Sequence, residues 1–389
     1  MLYVYNRNLE LQGIIELFIS YQLTEKFNKV GNFELHCPFS TNALEHLKIG
    51  NIIAYKNNPT KCVHIESRNL LVTQEGQELI VVKGKTLSNY LNYRILWNNA
   101  NITDTPENII KTLLYDNAIN PNDKDRIIPF LDIENKILSD KTLSYSNNKH
   151  QNLLDAINDI SNSNNLGFNI KADFRNKKLI FYMWKGVDRS YNNGSIAPIL
   201  FSRDFENILE QNYLESTNNY KNSCLIAGAG EGYKRKKTSI SKNNGLDRIE
   251  FYVDARDITD KKEIKIMVQN VDEKGNPTIG QHEETKEIEI SWSEYEPKLI
   301  TRGQEKLSYF SKTKAFVSKI NNNSNNIYET DYFLGDTVTI KDGKWKITLN
   351  TVVTEVTTIL NEQGLNIIPT FGYDIPNIFQ KLKNERACL

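Results

Sequence analysis

The sequence lacks an excess of either charge, because 48 Lys and Arg residues balance 48 Asp and Glu residues over 389 positions. A free-standing nucleic-acid-binding protein is usually basic, since the neutralisation of phosphates supplies much of its affinity. The balance therefore argues against that class, although it allows a local basic patch. A near-neutral chain also lacks the self-repulsion that keeps monomers apart, so we expect it to assemble.

Cysteines are few and long apolar runs are absent. The four cysteines form no CxxC pair, which is too sparse for a disulfide scaffold and indicates synthesis in a reducing compartment. No stretch approaches the ~20 apolar residues that cross a bilayer. Residues 1–10 show no signal peptide, so we expect maturation in the cytosol or exit by a route other than secretion.

The hydrophobic content of 39% is sufficient for real cores, and the length predicts roughly two to four domains. Residues 1–85 show short alternating segments separated by turn residues, which predicts a first small β-barrel. Alternation returns in residues 203–256 and 311–372, and we assign these to a second barrel. Asp342-Gly343 has the composition of a two-residue hairpin turn. No internal repeat of 20–50 residues is visible.

Helical signals interrupt these β regions. Thr105 and Pro106 are typical of an N-cap and a first helical position, and a second apolar stripe begins at Leu153. A hairpin is expected at residues 168–184, so residues 86–202 are predicted to be an inserted α/β domain. Residues 257–310 are charged, with a helix from about Glu296, and residues 373–389 form a tail. The predicted class is α+β, mainly β, with a small helical insertion.

Two loops imitate ligand sites. Gly228–Gly232 follows a strand like a phosphate loop, but the spacing is not GxGxxG and no GK[ST] follows. Residues 270–275 imitate the start of a calcium loop, yet Lys274 stands where an oxygen ligand is required and Gln281 replaces the closing Glu. We interpret the first as a hairpin tip, with the solvated charge of residues 234–237, and the second as no calcium site.

Cysteine and histidine residues in the first β region offer a candidate zinc site. Cys62 and His64 would share a strand face, and only one of His36 and Cys37 could join them, which is weak for zinc.

An acidic ladder, Asp254, Asp257 and Asp260 with Arg256 between, would form a metal or acid–base site in a helix. We favour a loop with internal ion pairs. Neither GxSxG nor HExxH occurs. We therefore predict no catalytic, cofactor-binding or metal residues.

Several segments in order resemble the tail hub proteins of long-tailed bacteriophages and phage-tail-like bacteriocins. The segment GNFELHCP at 31–38 resembles their G-x-F-E-L-x-x-P strand, and GKTLSNYLNYR at 84–94 is similar to G-[KR]-x-L-x-x-x-L-x-x-R. Further matching segments are Gly186–Ser190, Ile199–Ser202, Lys221–Ser223, Ala227–Gly232, Asp247–Arg256 and Phe333–Val338. Residues 373–389 carry no such resemblance.

The resemblance implies a non-enzymatic, homotrimeric hub at a baseplate or tail tip, with two tube-forming barrels per chain. Such a ring adapts a sixfold tail tube to a threefold spike. The implied partners are the tail tube or distal tail protein, the spike or tip protein and the tape-measure protein, with DNA only in transit. The implied location is the virion tail, assembled in the host cytoplasm.

The resemblance also suggests structural roles for its motif residues. Gly31 and Gly335 suit turns or close backbone approach, and Asp188 and Arg189 could pair or cap. We expect a channel without net positive charge.

Two alternatives stay open. One is a tail-associated cell-wall hydrolase using the loop at residues 254–260. The other is a receptor- or carbohydrate-binding module using Trp97, Trp184 and Trp292.

Overall fold

A computed structural model of the chain describes residues 1–147, 150–271, 277–310, 312–320 and 325–372. Strands dominate, with a few helices, which confirms the mainly-β class. The largest element is one 13-stranded sheet to which both β regions contribute. Strand pairing within the described residues contains no closed barrel; instead, the two β regions are consecutive halves of this sheet.

The N-terminal residues build the first half of the large sheet. Its strands are β1 (Leu2–Tyr5), β2 (Leu11–Ile15), β3 (Ser20–Lys26), β4 (Asn32–Pro38), β5 (Ile52–Tyr55), β6 (Cys62–Val72) and β7 (Glu78–Thr86). They lie in the spatial order β3-β4-β7-β6-β5-β1-β2, all antiparallel. Alternate side chains such as Leu23, Phe33 and Leu35 form one core, which the helix α1 (Thr41–His46) joins through Ala43. The alternation in the sequence thus places one apolar face inward.

Residues 87–207 form the first insertion. Its elements are β8 (Ala100–Asp104), α2 (Pro106–Leu114), β9 (Leu131–Ile133), β10 (Leu143–Asn147), α3 (Leu153–Ser163), β11 (Gly167–Asp173), β12 (Lys178–Trp184) and β13 (Leu200–Phe201). The two helices begin where their signals predicted, at Pro106 and Leu153, and β11–β12 is the expected hairpin. Their apolar stripes pack on the opposite face of the first half of the sheet, around Ile52 and Cys62.

The strand β14 (Ile208–Ser216) begins the second half, and a second insertion follows it. The insertion contains β15 (Ser223–Ala227), β16 (Lys237–Ile240), β17 (Glu250–Asp254), β18 (Lys261–Val271), β19 (Pro277–Glu289) and α4 (Trp292–Ser308). Strands β15–β17 form a separate three-stranded sheet that packs on α4 through Ile226, Tyr295 and Leu299. Of the segment 203–256 assigned from sequence to the second barrel, β14 alone of the described strands lies in the large sheet.

The charged segment beyond residue 260, which the sequence suggests is irregular apart from its helix, forms a long hairpin of β18 and β19. Opposite charges pair diagonally across its two strands, with Lys261 Nζ 3.0 Å from Glu287 Oε2 and Lys265 Nζ 2.8 Å from Glu283 Oε2. Such cross-strand pairs favour the hairpin. The helix α4 begins one turn earlier than predicted, since the Tyr295 N–H already bonds the Ser291 carbonyl at 2.9 Å.

The chain completes the second half with β20 (Thr313–Ile320), β21 (Thr337–Asp342), β22 (Ile347–Asn361) and β23 (Gly364–Gly372). The short strand β13 pairs in parallel with β21 and is the thirteenth strand of the large sheet. The turn between β21 and β22 occupies residues 343–346, so the predicted two-residue turn at Asp342-Gly343 is wrong. The cause is local, because the Asp342 carboxylate accepts the Trp345 N–H at 2.7 Å and Lys346 takes the left-handed conformation at φ 54°.

Candidate assembly interface

The two halves of the large sheet repeat one strand arrangement, which we call the five-strand motif. In the first motif β3 pairs with β4, β4 with β7, β7 with β6 and β6 with β5. In the second motif β14 pairs with β20, β20 with β23, β23 with β22 and β22 with β21, in the same order and all antiparallel. The chain therefore carries the same β unit twice.

Local details of the motif are repeated as well. Gly50 and Gly335 have φ values of 90° and 97°, a conformation that L side chains rarely adopt. Their N–H groups donate to the carbonyls of Ile65 and Val353, in both cases at 2.8 Å. A register shift follows each acceptor, at Glu66 in β6 and Thr354 in β22. Such bulges are specific features of a strand, so their match fixes how the two motifs align.

The sequence holds only a faint trace of this duplication. Ile49-Gly50-Asn51 stands in the first motif where Leu334-Gly335-Asp336 stands in the second. Three residues are too short a signal to identify a repeat, so the duplication becomes visible only in the strand pairing.

The two motifs are joined by pairing between β22 and β3. The distal part of β22, from Glu355 to Asn361, lies antiparallel to Lys26 to Ser20. Lys26 Nζ lies 2.8 Å from Glu355 Oε2, and the hydroxyls of Thr24 and Thr357 lie 3.0 Å apart. Because β22 is long enough to pair first with β21 and then with β3, one strand belongs to both motifs.

A buried ionic cluster stabilises this joint. The Lys61 ammonium pairs with the carboxylate of Glu25 on β3 and lies 2.7 Å from Glu329 Oε1. Burial raises the pKa of the Glu25 carboxyl, while the neighbouring Lys61 charge opposes that rise. The ring of Tyr328 lies 5.3 Å from the Lys61 Nζ atom. A buried charge of this kind is tolerated only with its partners, so the cluster ties β3 to the loop before β21.

Each motif also leaves one strand edge unpaired. Within the described residues, β14 pairs only with β20, and β6 beyond Glu66 pairs only with β7. The edge of β6 is apolar, with Leu70 50% and Val72 66% exposed. Unpaired edges with exposed apolar side chains are a hazard that proteins normally cover, so these two edges are candidate assembly surfaces.

Two of the segments that carry the family resemblance, residues 186–190 and 333–338, meet beside the second motif. The Asp336 carboxylate accepts the Val187 N–H at 2.7 Å and the Arg189 guanidinium at 2.8 Å. Arg189 thus pairs with Asp336, while Asp188 accepts the Ser190 N–H at 2.9 Å. A Cβ added to Gly335 would lie 2.3 Å from the buried ring of Phe27, confirming the close approach expected at this glycine.

The glycine-rich loop at residues 228–232 is closed by internal hydrogen bonds. The Gly228 N–H donates to the Lys236 carbonyl at 2.8 Å, and the Ala229 N–H donates to the Tyr295 hydroxyl at 2.8 Å. Arg235 donates back to the Gly228 carbonyl at 3.0 Å. The N–H groups of Gly228 and Ala229 are therefore already engaged inside the fold.

The three carboxylates of the acidic ladder pair with different cations. Asp254 pairs with Arg256 and Arg235 at 2.7 Å and 2.5 Å, and the Arg256 hydrogen bond is the main reason that its pKa falls to about 2. Asp257 pairs with Arg302 at 3.0 Å, and Asp260 with Lys236 at 2.6 Å. The structure does not bring the carboxylates together as one site.

Arg302 belongs to a buried polar cluster between the two insertions. Its guanidinium donates to the Ser146 carbonyl at 2.8 Å and lies 3.7 Å from Glu305. Burial raises the pKa of Glu305 to about 7, against the opposing effect of the Arg302 charge. Sequence reasoning did not find this group, because its partners lie on β10 and in the loop after β17.

The candidate zinc ligands do not come together as one site. Cys37 is buried in the core of the first half of the sheet, whereas Cys62 is buried in the core on its other face. His36 pairs with Glu34 at 2.7 Å. His64 is buried, and its ring centre lies 4.7 Å from that of Tyr90. Burial is the main reason that the pKa of His64 falls to about 4.

No cluster of three or more His, Cys, Asp or Glu residues with metal-binding geometry occurs in the residues that the structure describes. The imitation calcium loop at residues 270–275 lies largely outside those residues.

The three tryptophans proposed for ligand binding differ in their surroundings. Trp97 lies under the Arg126 guanidinium at 4.0 Å, and Trp184 donates its indole N–H to the Leu334 carbonyl at 2.9 Å. Trp292 is 43% exposed at the start of α4. The indole group of Trp184 is thus used inside the fold.

Comparisons with known proteins agree with this architecture. A family model described as "Siphovirus ReqiPepy6 Gp37-like protein" matches residues 1–373. Among solved structures, the tail protein from Neisseria meningitidis MC58 aligns with a TM-score of 0.56 at 12% identity, over 96% of this chain and 97% of that one. The 43 kDa tail protein of prophage MuSo2 from Shewanella oneidensis aligns with a TM-score of 0.57 at 7% identity, over 95% and 97%.

A third similar structure is the prophage tail protein gp18 from Listeria monocytogenes EGD-e, with a TM-score of 0.51 at 10% identity over 100% of this chain and 98% of that one. At these identities the likeness concerns the fold. No curated protein matches the sequence. No helix among the described residues has the length and apolar character needed to span a membrane.

Proposed function

The chain belongs to the siphovirus ReqiPepy6 Gp37-like protein family, and from this premise we propose that it is the structural hub of a baseplate or tail tip. In this proposal three copies form a ring that adapts a sixfold tail tube to a threefold spike or tip. The particle is a phage or a phage-tail-like bacteriocin.

The observation that carries the proposal is the duplicated five-strand motif. A ring of three identical chains has threefold symmetry, so it can meet a sixfold tube only if each chain presents a similar unit twice. The two motifs share their strand order and their bulge, and the β22–β3 pairing already joins them side by side. Three such pairs would supply six units.

We further propose which parts of the chain form the ring and which face outward. Residues 1–85 and the second motif would form the tube-facing ring, while residues 86–202 and the segment 217–310 would face outward. The expected partners are the tail tube or distal tail protein on one side and the spike or tip protein on the other, with the tape-measure protein and transiting DNA in the channel. The location would be the virion tail, after assembly in the host cytoplasm.

A non-enzymatic role is part of the proposal. Its support is that each carboxylate of the acidic ladder is paired with its own cation. We therefore expect no clearing of purified peptidoglycan in a zymogram, and Asp257→Asn should leave that result unchanged. Clearing by the natural chain would favour the hydrolase alternative.

The oligomeric state tests the proposal directly. Native mass spectrometry of the purified chain should give a trimer, and negative-stain images should show rings with an axial channel. A chain that stays monomeric as its concentration is raised would contradict the hub function.

A further inference from the structure

We propose that the unpaired edge of β6 pairs with the unpaired edge of β14 from a second copy of this chain, in the register that β22 and β3 use within one copy. The proposal rests on the hub function proposed above and names the surfaces that would close its ring.

The two bulges align β6 with β22. Ile65 in the first motif corresponds to Val353 in the second, because each accepts the glycine N–H and precedes the register shift. Counting onward, Asn69 corresponds to Thr357 and Leu70 to Thr358. The part of β22 that pairs with β3 therefore corresponds to the part of β6 that has no partner on that side.

The neighbouring strands align β14 with β3. Leu23 lies opposite Phe33 in the first motif, and Tyr213 lies opposite Phe316 in the second. Both phenylalanines are buried, and each pairs with the next strand of its motif, Phe33 with Gly84 of β7 and Phe316 with Phe371 of β23. Tyr213 thus corresponds to Leu23, and Leu214 corresponds to Thr24.

Transferring the pairs observed at the joint gives a definite register. Thr358 faces Leu23 and Thr357 faces Thr24 within one chain. The corresponding contacts between copies are Leu70 with Tyr213 and Asn69 with Leu214. One residue earlier, Val356 opposite Glu25 becomes Arg68 opposite Glu215.

The side chains of these edges suit such a pairing. Leu70 is 50% exposed in the isolated chain, and the pairing would bring it against the ring of Tyr213. Arg68 and Glu215 carry opposite charges, which favours their placement opposite each other across strands. Within one copy Arg68 already donates to the Leu44 carbonyl at 3.0 Å and Glu215 lies 3.0 Å from Lys314 Nζ, so the new contact would add to these interactions. Backbone N–H and C=O groups along both edges would gain hydrogen-bonding partners from the second copy, as in other cases of strand addition.

The proposal competes with two other fates for these edges. They could pair with a different tail protein, or they could stay solvated while the copies associate through the insertions. A second copy is favoured because β22, the counterpart of β6, already pairs with β3, the counterpart of β14, within one chain.

Disulfide crosslinking tests the register. The variant Asn69→Cys with Leu214→Cys should form disulfides between copies, since residues facing each other across strands lie within bonding range. All variants also carry Cys388→Ser. After mild oxidation, non-reducing gels should show covalent trimer, about tenfold more than for a mismatched pair, because disulfide geometry is specific.

Two matched controls are available. Thr24→Cys with Thr357→Cys occupies the corresponding positions at the joint, where the hydroxyls lie 3.0 Å apart, and should crosslink within one chain only. Asn69→Cys with Glu210→Cys moves one partner four positions along β14 on the same face and should not crosslink. Hydrogen exchange of the natural chain offers a measurement without substitutions, in which amides of residues 67–72 and 208–216 should be protected.

The outcomes separate the two proposals. A native trimer that fails to crosslink at Asn69 and Leu214, with exchanging edge amides, would overturn the strand pairing and leave the hub function standing. A monomer would overturn the hub function itself. Covalent species larger than a trimer would support the strand pairing and contradict a closed threefold ring.

Discussion

Substituting Gly335 should destabilise the fold more than substituting its counterpart Gly50, although both residues have nearly the same backbone conformation. Gly335→Ala places a Cβ atom 2.3 Å from the ring of Phe27, which is 1% exposed and cannot move into solvent. Gly50→Ala places its Cβ 2.3 Å from the guanidinium end of Arg7, an exposed and flexible side chain. The pair therefore separates packing from backbone strain.

The magnitudes follow from two contributions. A left-handed conformation costs a residue with a Cβ about 1–2 kcal/mol, which Gly50→Ala should show alone. Overpacking of a core adds about 1–3 kcal/mol, so Gly335→Ala should cost roughly 2–5 kcal/mol in the free energy of unfolding. Gly364, at φ 99° with no atom within 4 Å of its would-be Cβ, is the control for backbone strain.

Guanidinium unfolding followed by tryptophan fluorescence is a suitable assay. Trp184 reports locally, because its indole N–H bonds the Leu334 carbonyl at 2.9 Å and its ring centre lies 5.7 Å from that of Phe27. Phe27→Leu should relieve part of the cost in the Gly335→Ala background, as a double-mutant cycle would measure. Equal costs for Gly50→Ala and Gly335→Ala, or no coupling to Phe27, would refute the reasoning.

Three other predictions concern buried ionisable groups. The pKa of Glu305 is raised in the folded state to about 7. The free energy of unfolding should therefore fall by up to roughly 3 kcal/mol as pH rises from about 4.5 to 7. Glu305→Gln should flatten this part of a pH–stability curve. The pKa of His64 is lowered to about 4, so the free energy of unfolding should instead fall as pH drops from about 6.5 to 4. His64→Phe should remove that loss. An imidazole that titrates near pH 6.5 by NMR would contradict this prediction. Lys61→Met strands the buried Glu25 carboxylate and should lower the free energy of unfolding by about 3–5 kcal/mol, whereas adding Glu25→Gln should regain much of that loss, and no recovery in the double variant would refute the ionic role of the cluster.

Local signals predicted the elements whose cause is local. The apolar stripe of α3 lies within a single short segment, and the hairpin β11–β12 joins two strands that are neighbours in the chain, so the sequence predicts both. The partners of Asp257 and Asp260, which are Arg302 and Lys236, lie far along the chain, so spacing alone suggested a ladder that the fold takes apart.

The duplicated motif could not be predicted from sequence for a related reason. Its identity lies in which strands pair, and pairing depends on backbone hydrogen bonds that most side chains permit. Only positions with special conformations, such as Gly50 and Gly335, leave a mark in the sequence. A search for a glycine followed by Asn or Asp and a strand would have aligned the motifs, but nothing local identifies which such pair is significant.

The same hairpin has two different ends in the two motifs. Between β3 and β4 it closes with residues 27–31, whereas between β14 and β20 it opens to admit residues 217–312. That second insertion does not stand alone, because Arg302 donates to the Ser146 carbonyl at 2.8 Å and Asn162 donates to the Ser308 hydroxyl at 3.2 Å, both across to the first insertion. The two insertions should therefore evolve, and be grafted, as a matched set.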